Sequence, residues 1–198
     1  MYCAKLRDLK PLLLSPPRRP GWTPLAGRSW LFNGASFDDD RGTSQEVCDL
    51  SSRPPQLPSF ISVQENIVST RLAGTLRGLH FQTSPYAQAK LVTVMRGSAQ
   101  FFWVSNSEDT QLREVNSIIL KADAASLFTP SDCAHGMLSL EDDTQFLLRM
   151  SAPISMAHRG EVSMLGKSLS FNFAGQIRGD LLSERDRHAP EWSMRRRT

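Results

Sequence analysis

Short stretches rich in β-branched and aromatic residues recur along the chain from residue 29 onward, with Gly, Pro, Asn and Asp between them. The stretches predicted as strands are residues 60–64, 90–95, 100–104, 116–120, 144–150 and 169–173. Alternation is visible in 144–150, where Phe146, Leu148 and Met150 fall on one face and Gln145 and Arg149 on the other. Short strands in succession, separated by turn signals, predict an all-β fold: a β-sandwich, a jelly roll or a barrel.

The two ends of the chain lack this pattern. Residues 1–28 contain six basic residues, one acidic residue and repeated prolines, which predicts a loose basic N-terminal arm. A short helix is expected near residues 179–184, and residues 191–198 are predicted to be a solvated basic tail. We therefore expect one domain over residues 29–190, flanked by the arm and the tail.

Composition narrows the class of protein. With 198 residues, of which 40% are hydrophobic and 22% charged, the chain is long enough to bury a proper core. No apolar run approaches the length of a membrane-spanning helix, so no membrane partner is expected. Three cysteines, Cys3, Cys48 and Cys133, show neither metal-ligand spacing nor a disulfide framework, which favours a reducing, cytoplasmic location.

The charge distribution leaves two interpretations of the ends open. A net charge of +3 suits a phosphate-bearing small molecule and does not demand a nucleic acid. The N-terminal arginines and Arg195 to Arg197 could contact nucleic acid, but no aromatic stacking platform accompanies them. Solvated ends, and no nucleic-acid partner, are the favoured prediction.

Candidate chemistry centres on residues 74–82, where His80 lies between Arg77 and Gln82. Histidine is the side chain best suited to move protons near neutral pH, and a nearby cation can stabilise an anionic intermediate. Together they indicate an enzyme that abstracts a proton. Such a base needs a carboxylate to orient it, and Asp186 is one candidate, although distance along the chain does not establish contact.

A second histidine, His135, raises the alternative of a metal site. Two histidines on separate strands of a jelly roll can bind a metal ion. Here Gln82 stands where a second ligand would follow His80, and no glutamate comes within a few residues. Two histidines alone are too few, so no metal is predicted.

Several motifs resemble those of the dTDP-4-dehydrorhamnose 3,5-epimerase family. In chain order they are Asp40-Arg41-Gly42, Glu46, Gln64-Glu65-Asn66, residues 74–82, Gln88 to Val92, Cys133 to Gly136 and Ser183 to Asp186, spanning about residues 30–190. The resemblance implies a cupin-type jelly roll (a double-stranded β-helix) with short flanking helices. It also implies a homodimer with no metal or organic cofactor.

The resemblance further implies a reaction. The family's substrate is a nucleotide-linked 4-keto-6-deoxy sugar of deoxysugar, rhamnose or surface-polysaccharide biosynthesis, whose C4 ketone acidifies the hydrogens on C3 and C5. By resemblance, His80 is the base, Asp186 its partner, and Lys90 the cation that stabilises the enolate oxygen. The substrate-binding residues implied are Arg77 and His135 for the sugar and phosphates, Arg41, Glu46, Gln64 and Asn66 toward the nucleotide, and Phe37 against its base.

The chain departs from the family where the proton must be returned. The family places a tyrosine acid in a segment that here reads Leu147 to Ile154, and both tyrosine positions carry aliphatic residues, Leu148 and Ile154. Neither can donate a proton. Residues 101–107 also lack two acids and an arginine that the family has at that stretch.

Three outcomes follow from these losses. The enzyme uses another donor, such as Tyr86, Cys133 or a bound water; it acts at one carbon only; or the protein binds a sugar nucleotide without turnover. The base, its carboxylate and the lysine are all retained, which favours an enzyme, an isomerase.

Overall fold

The computed structural model describes residues 20–105, 114–123 and 125–192 of the chain. Nearly all regular structure in these ranges is strand. The strands are β1 Gly21–Pro24, β2 Trp30–Asn33, β3 Ser36–Asp39, β4 Gly42–Gln45, β5 Gln64–Thr70, β6 Leu76–Gln82, β7 Lys90–Arg96, β8 Ser98–Ser105, β9 Val115–Lys121, β10 Ala125–Thr129, β11 Cys133–Ser139, β12 Thr144–Met150 and β13 Arg159–Glu161. The helices are 3-10 turns at Ala26–Arg28, Met156–His158 and Gly179–Leu181, and one α-helix, α1, Glu184–Arg187.

Two antiparallel sheets face each other. The first has the order β1-β2-β10-β7-β12-β5 and the second β13-β6-β11-β8-β9, while β3 and β4 form a separate hairpin. Alternate residues of each strand point between the sheets, where Phe101 and Phe146 from opposite sheets meet edge-on at 5.4 Å between ring centroids. The structure thus confirms the predicted all-β jelly roll.

Four of the six predicted strands are confirmed, and they lie in β7, β8, β9 and β12. The prediction for residues 60–64 is wrong, because the strand begins only at Gln64. Phe60 instead packs edge-on against Phe128 at 5.9 Å, in a small core that also buries Leu57. The prediction for residues 169–173 is also wrong: Phe171 and Phe173 pack on the outer face of the second sheet without joining it.

The boundaries of the domain extend beyond residues 29–190. Strand β1 and the turn at Ala26–Arg28 fall inside the predicted arm, and Trp22 packs on Phe32 in the first sheet. The prediction of a loose arm is therefore wrong for residues 21–28. In the predicted tail, Glu191 accepts hydrogen bonds from the amides of Lys167 and Ser168, each at 2.9 Å. Residues 1–19 and 193–198 lie outside the described residues.

The helix expected near residues 179–184 divides into two short pieces. After the 3-10 turn Gly179–Leu181 the chain becomes extended at Ser183, and α1 begins at Glu184. The Ser183 hydroxyl accepts a hydrogen bond from the Asp186 amide at 3.1 Å, which is an N-cap. None of the helices in the described ranges is long and apolar enough to span a membrane.

Candidate active site

His80, on β6, is paired with a buried carboxylate. Its Nε2 lies 2.7 Å from Oδ1 of Asp186, which stands on α1 and is only 8% exposed. The carboxylate also accepts hydrogen bonds from the Gly78 amide at 3.2 Å and the Ser183 hydroxyl at 2.8 Å. When His80 donates Nε2–H to Asp186, Nδ1 is the nitrogen that can accept a proton.

The hydrogen bonds keep Asp186 ionised. Burial acts to raise the pKa of the Asp186 carboxyl, but His80, Ser183 and the Gly78 amide outweigh it and hold the pKa below its ordinary value. A carboxylate fixed in this way orients the imidazole and stabilises its protonated form. The pair has the geometry of a general base.

A cavity of about 330 Å³ opens between the two sheets beside this pair. One wall comes from the second sheet and carries His80, Arg77 and His135. The facing wall comes from the first sheet and carries Lys90 and Leu148. The remaining lining is mostly aliphatic and aromatic, and the volume lies in the range of small-molecule sites.

Lys90 begins β7 and supplies the cation of the first-sheet wall. Burial, with a smaller contribution from the charge of Arg159, lowers the pKa of Lys90 to about 8. Lys90 is therefore an ammonium at neutral pH, but it gives up its proton more readily than an exposed lysine. No hydrogen bond or ion pair to its ammonium is found within the described residues.

His135 sits opposite His80 in the pairing of β11 with β6. Both of its ring nitrogens are buried without a hydrogen-bond partner in the described structure, although the residue lines the cavity. Burial first, and then the charge of Lys90, lowers the pKa of His135 well below its ordinary value, so the ring is neutral. An unsatisfied buried polar group costs about 1–3 kcal/mol, and a ligand in the cavity could satisfy it.

A second cavity, of about 530 Å³, adjoins the first and shares His80, Arg77 and Arg159 with it. It also includes Arg185, whose guanidinium donates to Glu161 at 2.6 and 3.1 Å. Arginines that line a continuous cavity fit a phosphate-bearing ligand, because the guanidinium matches phosphate oxygens in geometry and charge.

A protein-family model described as dTDP-4-dehydrorhamnose 3,5-epimerase matches residues 23–194. The chain belongs to this family. A dTDP-4-dehydrorhamnose 3,5-epimerase from Sinorhizobium fredii is 30% identical over 162 residues, which cover 81% of this chain and 83% of that protein. One from Streptomyces griseus is 29% identical over 163 residues, covering 82% and 81% respectively.

Solved structures of the family have the same fold. The dTDP-4-dehydrorhamnose 3,5-epimerase from Bacillus anthracis, with TDP and PPi bound, superposes with a TM-score of 0.76 at 30% identity, covering 83% of this chain and 94% of that one. A 3'-monoepimerase from Streptomyces bikiniensis, in complex with dTDP-quinovose, gives a TM-score of 0.77 at 25% identity, covering 85% and 86%. The chain is thus a nucleotide-sugar epimerase by family, with a cupin-type jelly roll.

Gln64 and Asn66 stand on β5, and the described lining of the His80 cavity includes neither of them. They occupy the β5 positions paired with Met150 and Leu148, so they share the inward face of the first sheet. The Gln64 amide donates to the Asn66 oxygen at 3.2 Å and accepts from the amide of Ile154, which lines the cavity, at 3.0 Å.

Three of the residues predicted to bind substrate lie outside the His80 cavity. Phe37 is on β3, Arg41 in the turn of the β3–β4 hairpin and Glu46 just after β4. All four residues of each hairpin strand are exposed, and Arg41 pairs with its neighbour Asp39 at 2.5 Å. Among the described residues, the lining of the His80 cavity includes none of the three.

Neither Tyr86 nor Cys133, the two side chains predicted as alternative proton donors, lines the cavity. The Tyr86 ring packs against His158 at 4.6 Å between centroids. Cys133 is 1% exposed, and burial followed by the charge of Asp132 raises the pKa of its thiol to about 12. Leu148 and Ile154, at the family's tyrosine positions, both line the cavity.

Sequence reasoning missed Arg159, which lines both cavities and stands at the start of β13. An isolated arginine in a polar segment carries no motif, so only the pairing of β13 with β6 reveals its position. Within residues 20–105, 114–123 and 125–192, no cluster of three or more His, Cys, Asp or Glu residues could hold a metal ion.

Proposed function

We propose that this protein is a cofactor-independent epimerase of a nucleotide-linked 4-keto-6-deoxy sugar resembling dTDP-4-dehydro-6-deoxyglucose, in deoxysugar, rhamnose or surface-polysaccharide biosynthesis. The observation that carries the proposal is the His80–Asp186 pair, which opens onto a cavity that holds Lys90 on its opposite wall. The ligands of similar proteins support the nucleotide: TDP in the Bacillus anthracis enzyme and dTDP-quinovose in the Streptomyces bikiniensis enzyme.

Each residue of the cavity has a distinct role in this reaction. His80 removes a proton from a carbon next to the C4 ketone, and Asp186 stabilises the imidazolium that results. The ammonium of Lys90 stabilises the negative charge that develops on the C4 oxygen. Arg77 and Arg159 neutralise the phosphates, and the neutral ring of His135 hydrogen-bonds the sugar.

The test is hydrogen–deuterium exchange in heavy water, followed by proton NMR with dTDP-4-dehydro-6-deoxyglucose. We expect the signal at C3, at C5 or at both to disappear with wild-type protein, because the base exchanges its proton with solvent. His80→Ala should slow the exchange by about 100- to 10,000-fold. The control is His188→Ala, since that side chain is 73% exposed and outside both cavities. A wild-type protein that causes no exchange refutes the proposal for this substrate.

A second candidate function is the binding of a sugar nucleotide without turnover. Leu148 and Ile154 favour it, because neither of the side chains at the tyrosine positions can return a proton. Calorimetry that shows micromolar binding, together with no exchange in heavy water, would support this function over the first. Absence of any binding would contradict both.

A further inference from the structure

Epimerisation needs a proton donor on the face of the substrate opposite the base, and the fold supplies two opposite walls. His80 and His135 project from the second sheet, and Lys90 and Leu148 from the first. A planar enolate lying between the walls has one face toward each sheet. We propose that the Lys90 ammonium is the general acid that protonates the enolate carbon from the first-sheet side; this rests on the proposed epimerase function.

The other cavity-lining groups do not meet the requirement. Arg77 and Arg159 belong to the second sheet, the same wall as the base. His135 stands on the same wall as His80, as its partner in the pairing of β11 with β6. Thr129 is on the first-sheet wall, but its hydroxyl is not an acid near neutral pH. Among the described cavity residues, Lys90 alone combines the facing wall with a transferable proton.

The register of β7 and β12 places Lys90 next to Leu148, one of the two positions at which the family has a tyrosine. Leu148 is paired with Val92, and Met150 with Lys90, so Lys90 and Leu148 are diagonal neighbours on one face of the sheet. Such neighbours are about 7–8 Å apart, within reach of a long side chain. Val92 and Leu148 offer no hydrogen-bond acceptor that would hold the ammonium away from a bound substrate.

The proton balance closes with water as the only other participant. The carbon–hydrogen bond breaks as its proton passes to Nδ1 of His80, and the electron pair becomes the enolate. A nitrogen–hydrogen bond of Lys90 breaks as the new carbon–hydrogen bond forms on the other face. Lys90 is left as a neutral amine and His80 as an imidazolium, and solvent carries one proton from His80 to Lys90 before the next turnover.

The lowered pKa of Lys90 suits the role of a proton donor. Its pKa of about 8, lowered by burial, keeps the ammonium protonated at neutral pH and makes it a stronger acid than an ordinary lysine. The charged and titratable groups that act on it are Arg159 and Cys133, and Lys90 in turn acts on His135.

Lys90→Arg separates proton donation from charge stabilisation. Arginine keeps the positive charge for the enolate oxygen, but its guanidinium does not release a proton. In heavy water with dTDP-4-dehydro-6-deoxyglucose, we expect exchange to stay within about tenfold of wild type, because His80 returns a deuteron to the original face. Inversion at the same carbon should fall by about 100-fold or more. Lys121→Arg, an exposed lysine at the end of β9, is the matched control.

A second variant restores the donor by another route. Leu148→Tyr, added to Lys90→Arg, places a phenol on the first-sheet wall and should recover inversion. The wild-type protein gives an independent readout, since the ratio of inversion to exchange should fall as pH rises through about 8, where Lys90 loses its proton.

The outcomes separate this proposal from the function on which it rests. No exchange with wild-type protein overturns both. Exchange with unchanged inversion in Lys90→Arg leaves the epimerase standing and overturns the role of Lys90. Exchange without inversion by the wild-type protein also overturns the role of Lys90 as proton donor. If Lys90→Arg loses exchange and inversion in the same proportion, and Leu148→Tyr added to it restores neither, the donor role of Lys90 is again overturned.

Discussion

Within the part of the chain that the structure describes, the Lys90 ammonium has no ion-pair partner, and its burial without one destabilises the fold. Burial lowers its pKa from 10.5 to about 8, so between these two values the unfolded chain binds more protons than the folded one. The free energy of unfolding therefore rises with pH across that window and is lowest below it. The full shift corresponds to about 3 kcal/mol, and about 1–2 kcal/mol is a better expectation because the side chain keeps some contact with water through the cavity.

We therefore expect Lys90→Met to raise the free energy of unfolding at pH 7 by about 1–2 kcal/mol, since the methionine fills the same space without a charge. The rise in stability between pH 8 and 10.5 should disappear at the same time. Urea unfolding at a series of pH values measures both effects. Lys121→Met is the control, because Lys121 is exposed, and it should change little. A Lys90→Met protein less stable than wild type would contradict this account.

Strand β6 packs closely against β11 at the site because Gly78 has no side chain. Gly78 has a φ of +101°, and a Cβ there would lie 2.5 Å from the carbonyl oxygen of His135 and 2.9 Å from Cα of Gly136. Its amide also donates to Asp186. A side chain at this position would force β6 and β11 apart between the two histidines.

Gly78→Ala should therefore lower the free energy of unfolding by about 2–4 kcal/mol, because it adds a left-handed backbone strain to a backbone clash. Exchange in heavy water should slow as well, since His80 and Asp186 lose their alignment. Gly179→Ala is the matched control: nothing lies within 4 Å of a Cβ there, and its change should stay within about 0.5 kcal/mol. Equal stability of the two variants, measured by urea unfolding, would refute the role of Gly78.

The elements that sequence could predict are those whose side chains pack in the core by simple alternation. The sequence predicts β12 with its bounds because Phe146 and Met150 face the interior. It does not predict β5, because the inward positions Gln64 and Asn66 are polar. A strand that borders a binding site does not need the hydrophobic alternation on which the prediction depends.

Two other features cannot be predicted from the local sequence pattern. Phe171 and Phe173 have the spacing of a strand, yet they stack on each other at 5.6 Å and pack on Phe102 from outside the sheet. The contact of His80 with Asp186 joins residues 106 positions apart and depends on the Ser183 cap of a four-residue helix. Family resemblance could name these partners, but only the folded chain shows that they meet.

The described part of the chain leaves an apolar surface and the β3–β4 hairpin exposed. Ile61 and Ile67 are each 74% exposed near β5, the last strand of the first sheet, and among the described strands β5 pairs only with β12. Phe37, on the hairpin, is 66% exposed. An unpaired strand edge flanked by apolar residues is a surface that proteins ordinarily cover. A second copy of the chain, as the family resemblance implies, would cover it.

We propose that a homodimer brings the hairpin of each chain to the His80 cavity of the other, which would give Phe37 and Arg41 the nucleotide role that resemblance assigns them. Two variants then complement each other: His80→Ala lacks the base, and Phe37→Ala with Arg41→Ala lacks the hairpin contacts. In mixed dimers one site of the two regains both parts, so about a quarter of the sites become complete when equal amounts exchange subunits.

The measurement is deuterium exchange by each variant alone and by the mixture after subunit exchange, with light scattering to establish the mass of the particle. Both variants alone should be slow, His80→Ala because the base is gone and the hairpin variant because the nucleotide binds weakly. Recovery in the mixture requires that the base and the hairpin act from different chains. A mixture no faster than the mean of its components, in particles of twice the mass of one chain, would mean that the hairpin serves the cavity of its own chain or none.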